Sequence, residues 1–409
     1  MSTGDELVEG LVAERNAAGI AAALGGIGLR VAASHIVGDD NDEIKSLLGE
    51  ITRRADACIC TGGLGPTGDD LIREAVAEVC GVKLSLDNES LEAIRRIFSG
   101  YGREMPESNH RQAMFPDGSE IIPNNFGTAP GFAVECGKAL VVCMPGVPRE
   151  MRKMLGRSVI SIISKRFPLS SIIRTKVLRL FGTSESSLAD VLGDMMERNR
   201  NPSVGTIAST GIISIIIRSR GTQAERALAE TESRIRERLG RHIFGEGEAT
   251  LEQAVVDIIE KHNMTIATAE SCTGGMIGSL LTNVPGVSRH FIEGIICYSD
   301  EAKVELLGVP PRVIQSKGAV SDEVARALAE GVRKTARTDI GLGVTGIAGP
   351  AGDTSKKPVG LVYIAVLVKG EMESREFRFS GDRRSIRLRS AMTALNMVRH
   401  RLLDIDETG

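Results

Sequence analysis

The chain has 409 residues, more than one hydrophobic core usually organises, so two or three domains are expected, and a hydrophobic content of 42% is ample for them. A formal charge of −3, 3% aromatic residues and the absence of Trp argue against a basic nucleic-acid face or a base-stacking platform. No apolar run nears the roughly 20 residues of a membrane span, and "MSTGDELVEG" has neither a basic nor an apolar leader region, so a cytoplasmic protein with no membrane and no nucleic-acid partner is expected.

In chain order, the first 165 residues alternate short apolar runs ("VAASHIV", "ADACIC", "ALVVCMPG") with helix-like stretches such as "DDLIREAVAEVCG", the pattern of an α/β layer. The seven cysteines include no C-x-x-C pair; alternation puts Cys58 and Cys60 on one strand face as reduced, structural thiols. Residues 166–247 change to a small β-α-β-β-α unit, an α+β connector ending at the charged helix "QAERALAETESRIRERLGRH". The turn "GEGEAT" then marks a boundary near 248, and residues 248–409 are again α/β, closing on the amphipathic helix "RRSIRLRSAMTALNMVRHRLL".

Within the first segment "CTGGLGPTGDDLIREA" (60–75) runs from a strand through a glycine turn into a helix. Backbone amides freed by Gly62, Gly63 and Gly65 beside a helix N-terminus suit phosphate. Asp69 and Asp70 would repel that phosphate unless a divalent metal lay between; alternatively one of them simply caps the helix. With the loops "NNFGTAPG" (124–131) and "MPGVPREM" (144–151), this segment resembles the molybdopterin-binding fold of the MoaB/MogA type, in the version found at the front of CinA-family proteins. The resemblance implies a metal-dependent ADP-ribose pyrophosphatase whose nucleotide site includes Gly62, Gly63, Gly65, Asn124 and Gly131, with Asp69 and Asp70 holding a divalent metal.

In the last segment "ATAESCTGGMIGSLL" (267–281) sets Ser271 beside Cys272 where a strand opens into a helix, the sheet edge at which open α/β folds bind ligands. Cys272 can be core filling and Ser271 a helix cap; a nucleophile of either kind needs an activating partner. His262, His290 and His400 lie in no triad context, which leaves lysine. In "IICYSDEAKVELLG" (295–308) a second strand ends at Tyr298, with Lys303 in the following helical turn, either a base or a solvated partner of Asp300 or Glu301. The glycine-rich "VTGIAGPAGDTSKKPVG" (344–360) offers amides and "SGDRRSIR" (380–387) offers arginines to an anion.

"TAESCTGG", "YSDEAK", "KGAVSDEVA", "TGIAGPAG", "KPVG" and "GDRRSIR", in this order, resemble the C-terminal domain of the CinA family, the nicotinamide-nucleotide amidases. That resemblance implies hydrolysis of nicotinamide mononucleotide (NMN) to nicotinate mononucleotide and ammonia without a cofactor, in pyridine-nucleotide recycling. Ser271 is then the nucleophile, Lys303 the base, Tyr298 an assisting hydroxyl and Cys272 a packing residue. Gly274, Gly275, Thr345 and Gly346 line the substrate, Arg383 or Arg387 takes its phosphate, and a homo-oligomer is expected. The rival reading is a molybdopterin-binding or competence-related regulatory protein without amidase activity. One departure from the resemblance concerns the front: relatives lead into "TGDEL" through an apolar strand that this sequence lacks before Ser2. The expectation is a translation start upstream of Met1 or, failing that, a front domain less stable than the rest.

Overall fold

The computed structural model describes residues 1–168, 173–197, 199–209, 211–352 and 357–408, and the chain divides into two compact units, Met1–Ile173 and Arg174–Gly409. The first unit has strands β1 (Ser2–Thr3), β2 (Ile36–Val37), β3 (Ala57–Thr61), β4 (Leu84–Leu86), β5 (Met114–Pro116), β6 (Glu120–Ile122), β7 (Gly131–Cys136) and β8 (Ala139–Met144). Six of them form a sheet in the order β2-β1-β3-β8-β7-β6, parallel from β2 to β8 and antiparallel beyond, while β4 and β5 pair separately. All six residues of "ALVVCM" in β8 are buried, as befits a strand covered on both faces. On one face Ile44 and Leu48 of the helix Asn41–Arg54 pack with Ile72 and Val76; on the other Ile20 and Leu24 pack with Met151 and Ile163. Asp40 caps Asn41–Arg54 by accepting from the Asp42 and Glu43 amides. Cys58 and Cys60 are both buried on the first face, their sulfurs 3.7 Å apart.

The strand expected to be missing before "TGDEL" is present as the two residues of β1. Ser2 and Thr3 lie between β2 and β3, the Met1 amino group donates to Ile59 O at 2.8 Å, and the Thr61 amide donates to Met1 O at 3.0 Å. Beside β1 lies a cavity of about 740 Å³ lined by Leu24, Leu29, Cys58, Ile163 and Phe167.

The second unit begins with β9 (Ile173–Phe181), β10 (Ser203–Ser209), β11 (Ile212–Arg220) and β12 (Ile243–Glu246), in the order β10-β11-β9-β12. Its fourth strand is an addition to the expected β-α-β-β-α order: the "GEGEAT" segment read as a turn starts inside β12, which pairs with β9 through a bulge at Gly245. Phe181 and Phe244 join the core of the following helix Leu251–Lys261, and Arg399 donates to the carbonyls of Arg241 and Ile243.

A five-stranded sheet completes this unit: β13 (Ile266–Glu270), β14 (Phe291–Ile296), β15 (Ile340–Gly346), β16 (Leu361–Val368) and β17 (Glu371–Arg378), ordered β14-β13-β15-β16-β17. The first three are parallel, so their carboxyl ends share one edge, while β16 and β17 return antiparallel. Helix Arg383–Thr408 packs with Leu251–Lys261 against one face; Asp322–Ala336 covers the other. That helix lies so close that a Cβ on Gly341 would strike the Ala329 carbonyl. No helix among the described residues is long and apolar enough to cross a membrane.

Candidate active sites

The front site is a pocket of about 500 Å³ at the end of β3, and Gly62, Gly63, Gly65, Asp69 and Asp70 all line it. Gly62 and Gly63 have φ of 101° and 64°, and a Cβ on Gly62 would sit 2.5 Å from Thr3 O. Any side chain there is excluded by both backbone strain and contact. Asp70 is engaged within the loop itself: its carboxylate accepts from the Gly65 amide at 2.7 Å, the Thr67 amide at 2.9 Å and the Thr67 hydroxyl at 2.5 Å. Arg73, fully buried, donates to the Leu64 and Gly65 carbonyls, and burial pulls its guanidinium down to about 10.

Asp69 stays exposed, its carboxyl held below the ordinary range first by a hydrogen bond from Thr67. Asp39, also on the pocket, is pushed up first by burial; the Asp5 amide opposes this, and the negative charges of Asp5, Glu6 and Asp69 add to it. Among the described residues no group of three or more His, Cys, Asp or Glu side chains is arranged to hold a metal ion. The structure does not bring Asn124 and Gly131 into the pocket lining. The Asn124 amide donates to Ala129 O and Glu150 Oε2 and its oxygen accepts from Phe126 N, so it shapes the 124–129 loop, while a Cβ on Gly131 would strike Cys143 O. Sequence reading missed Arg73, Glu6 and Asp39; "TGDEL" was the available signal for Glu6.

The second site forms where β13, β14 and β15 end. Ser271 follows β13, 8% exposed, its amide donating to Val344 O of β15 at 3.0 Å, and the Cys297 amide beyond β14 donates to Glu270 O at 2.9 Å. Three strand ends are thus stitched around the serine. Lys303, 2% exposed, reaches from the helix Asp300–Leu307 to the carbonyls of Tyr298 (3.3 Å) and Ser299 (3.2 Å) and to Asp300 (3.6 Å). It is a buried lysine, not the solvated one that the alternative reading required. The Cys297 thiol sits within range of both arms: burial pushes it up to about 11, Lys303 pulls it down and Glu270 pushes it further up.

Cys272 is 5% exposed, belongs to the core, and is pushed up to about 12 by desolvation. A thiol so placed forms almost no thiolate near neutrality, so it packs. Gly274 and Gly275, at φ 58° and 88°, turn the chain from Ser271 into the helix Met276–Thr282. Thr345 is buried and its hydroxyl donates to Ala319 O; Gly346 abuts Val362, where a Cβ would come within 2.6 Å. Tyr298, 59% exposed, accepts from Arg383, which also donates to Gly349 O at 2.6 Å. Arg387 is spent differently: it donates to Thr273 O at 2.7 Å and so grips the serine loop. Residues 353–356 of the 344–360 loop lie outside the described residues.

Three family descriptions match in chain order: probable molybdopterin binding domain over residues 1–165, damage-inducible protein CinA KH domain over 175–245, and CinA C-terminal domain over 248–402. A CinA-like protein of Kosmotoga olearia is 41% identical over 408 residues, 99% of this chain and 98% of that protein. The chain belongs to the CinA family. Other CinA relatives include a CinA-like protein of Dictyoglomus thermophilum, 41% identical over 99% of each chain, and a protein of Clostridium novyi named as competence-damage inducible, 39% identical over 98% of each. Among solved structures, the competence/damage inducible protein CihA from Agrobacterium tumefaciens is 37% identical over 36% of this chain and 90% of that one, with a TM-score of 0.36. The mixed α/β architecture with a MoaB/MogA-like front, a small KH connector and a CinA C-terminal domain is therefore that of the family.

Proposed function

We propose that the C-terminal domain hydrolyses the carboxamide of NMN to nicotinate mononucleotide and ammonia, with Ser271 as nucleophile and Lys303 as base. The observation that carries this reading is the combination of a buried lysine in the helix that follows β14 with a serine at the end of the adjacent β13, next to a thiol that burial keeps protonated. The Ser271 hydroxyl attacks the amide carbon as Lys303 takes its proton; the same proton then leaves with ammonia, and water hydrolyses the Ser271 ester. Arg383 is our choice for the substrate phosphate because it stays exposed, while Arg387 is half-buried against the Thr273 carbonyl; each arginine also holds a carbonyl of the site, Arg383 that of Gly349. Tyr298 then bridges the phosphate arginine and the lysine loop.

For the front domain we infer an ADP-ribose pyrophosphatase-like site. Of its glycine amides, that of Gly62 is spent on Met144 O and that of Gly65 on Asp70, which leaves Gly63 to face a diphosphate, and Asp69 fits as protein ligand of a cation that, like Mg²⁺, keeps waters and substrate oxygens and needs only one or two carboxylates. A divalent ion held there would neutralise the charge of the diphosphate. Asp70 keeps the loop closed and is not free for the ion. Both activities, in a cytoplasmic homo-oligomer, fit pyridine-nucleotide recycling. The test is to incubate the full chain with NMN and follow ammonia and nicotinate mononucleotide; a purely binding or regulatory protein releases neither.

A further inference from the structure

The residue before the serine has no role in the reaction as written. Glu270 ends β13 and is 2% exposed, a carboxylate in the interior. Among the described residues no cation donates to it; it accepts instead from the Ile277 amide (Oε2, 3.1 Å) and the Gly278 amide (Oε1, 2.9 Å). These are first-turn donors of the helix Met276–Thr282, which has no side-chain cap of its own. An internal carboxylate is costly unless such donors meet it, and a helix N-terminus leaves such donors unmet, so each satisfies the other.

The chain between the two partners is the loop Ser271–Gly275. With Glu270 fixed at one end and the amides of residues 277 and 278 fixed to its carboxylate, the loop is closed into a ring with Ser271 as its first member. Inside the ring the Gly274 amide donates to Ser271 O and the Met276 amide to Thr273 O; from outside Arg387 holds Thr273 O and Val344 O receives the Ser271 amide. Two left-handed glycines make this turn possible but do not hold it, since glycine resists neither bending nor unbending. The Glu270 carboxylate is the contact that ties the start of the ring to its end.

We propose that Glu270 is a positioning residue for the Ser271 nucleophile, acting through the amides of Ile277 and Gly278 to fix where the serine hydroxyl stands relative to Lys303. This rests on Ser271 being the nucleophile, and the test reads that separately. In Glu270→Gln one oxygen still accepts, but the other becomes an NH₂ facing an N–H, and the ring opens. Two readouts on the full chain serve: steady-state ammonia release from NMN, and the rate at which a serine-directed fluorophosphonate labels Ser271, located by peptide mass spectrometry. In that labelling the serine oxygen bonds to phosphorus while fluoride leaves with the hydroxyl proton.

The expected result is a fall of about 10²-fold in both kcat and the labelling rate, with KM for NMN within threefold, because the misplaced group is the nucleophile and not the substrate pocket. Gly278→Pro, which deletes one of the two donors at a first-turn position that tolerates proline, is expected to give a partial fall in the same readouts. It also serves if Glu270→Gln does not fold. Wild-type labelling and turnover in the variant that folds, or a loss confined to KM, overturns the positioning role. Absence of ammonia from the wild-type chain, with Ser271 still labelled, refutes the NMN reading while the labelling rates still judge Glu270.

Discussion

Both units put a glycine turn between a strand and a helix, and both lock that turn with a carboxylate, but from opposite sides. In the front unit the carboxylate follows the glycines: Asp70 reaches back to the amides of Gly65 and Thr67, with buried Arg73 holding the carbonyls beneath. In the C-terminal domain the carboxylate precedes them: Glu270 reaches forward to the amides of Ile277 and Gly278, with Arg387 holding the Thr273 carbonyl. The first arrangement spends the Gly62 and Gly65 amides on Met144 O and Asp70 and leaves a pocket lined by carboxylates, where a cation would have to accompany a diphosphate. The second leaves a serine at the end of β13 and a buried lysine in the helix after the neighbouring β14, the pair on which the proposed acyl transfer rests. In both loops the locking carboxylate holds the turn through backbone amides, and a neighbouring side chain, Asp69 or Ser271, is left to face the site.

The largest effect expected on this comparison is at Lys303. Lys303→Arg keeps the charge but cannot release a proton near neutral pH, so ammonia release from NMN is expected to fall by about 10²- to 10⁴-fold. Activity within a few-fold of wild type would make Lys303 a charge partner only. Next, Arg383→Ala is expected to raise KM for NMN by about tenfold or more, the scale of one lost charge-assisted hydrogen bond, with kcat little changed. A normal KM there would move the phosphate elsewhere.

The front loop separates its two aspartates. Asp70→Asn, which loses acceptors for loop amides, is expected to lower the stability of the front unit by about 1–3 kcal/mol together with any ADP-ribose hydrolysis. Asp69→Asn is expected to lower only the hydrolysis and its response to added divalent metal. Both should leave NMN amidase activity untouched. Equal melting transitions for the two variants would contradict the division of labour.

The smallest effect is one of pH. His400 on the last helix is pulled down to about 4, first by burial and then by Arg399, Arg241 and His242, with Asp404 opposing. Between roughly pH 6.5 and 4 the unfolded chain binds a proton that the folded chain refuses, so this residue makes the second unit less stable as pH falls through that window, and it contributes no slope above it. Chemical denaturation at pH 7 and pH 5 is expected to show a smaller difference for His400→Gln than for wild type; equal differences would contradict it.

Much of this was legible in the sequence because periodicity and glycine punctuation report locally. The three segments, the paired thiol face of Cys58 and Cys60, the strand ends before Ser271 and Tyr298 and the helical turn carrying Lys303 all follow from short-range pattern. What was not legible depends on partners distant in the chain. Asp70 looked like a metal ligand because nothing in "GPTGDD" reveals that its oxygens turn back on the loop, and Asn124 looked like a ligand because its Glu150 partner is 26 residues away. β12 was missed because a four-residue strand ending in "GE" reads as part of a turn. The contacts that Arg399 and Phe244 make across 248 were not legible either, because they join residues about 150 positions apart.

The central claim is that the serine, not the neighbouring cysteine, does the chemistry. Ammonia released from NMN by the full chain should vanish in Ser271→Ala, falling by about 10³-fold or more as for loss of a covalent nucleophile, and persist at most of its wild-type rate in Cys272→Ala. Loss of activity in Cys272→Ala with Ser271→Ala still active would contradict the account.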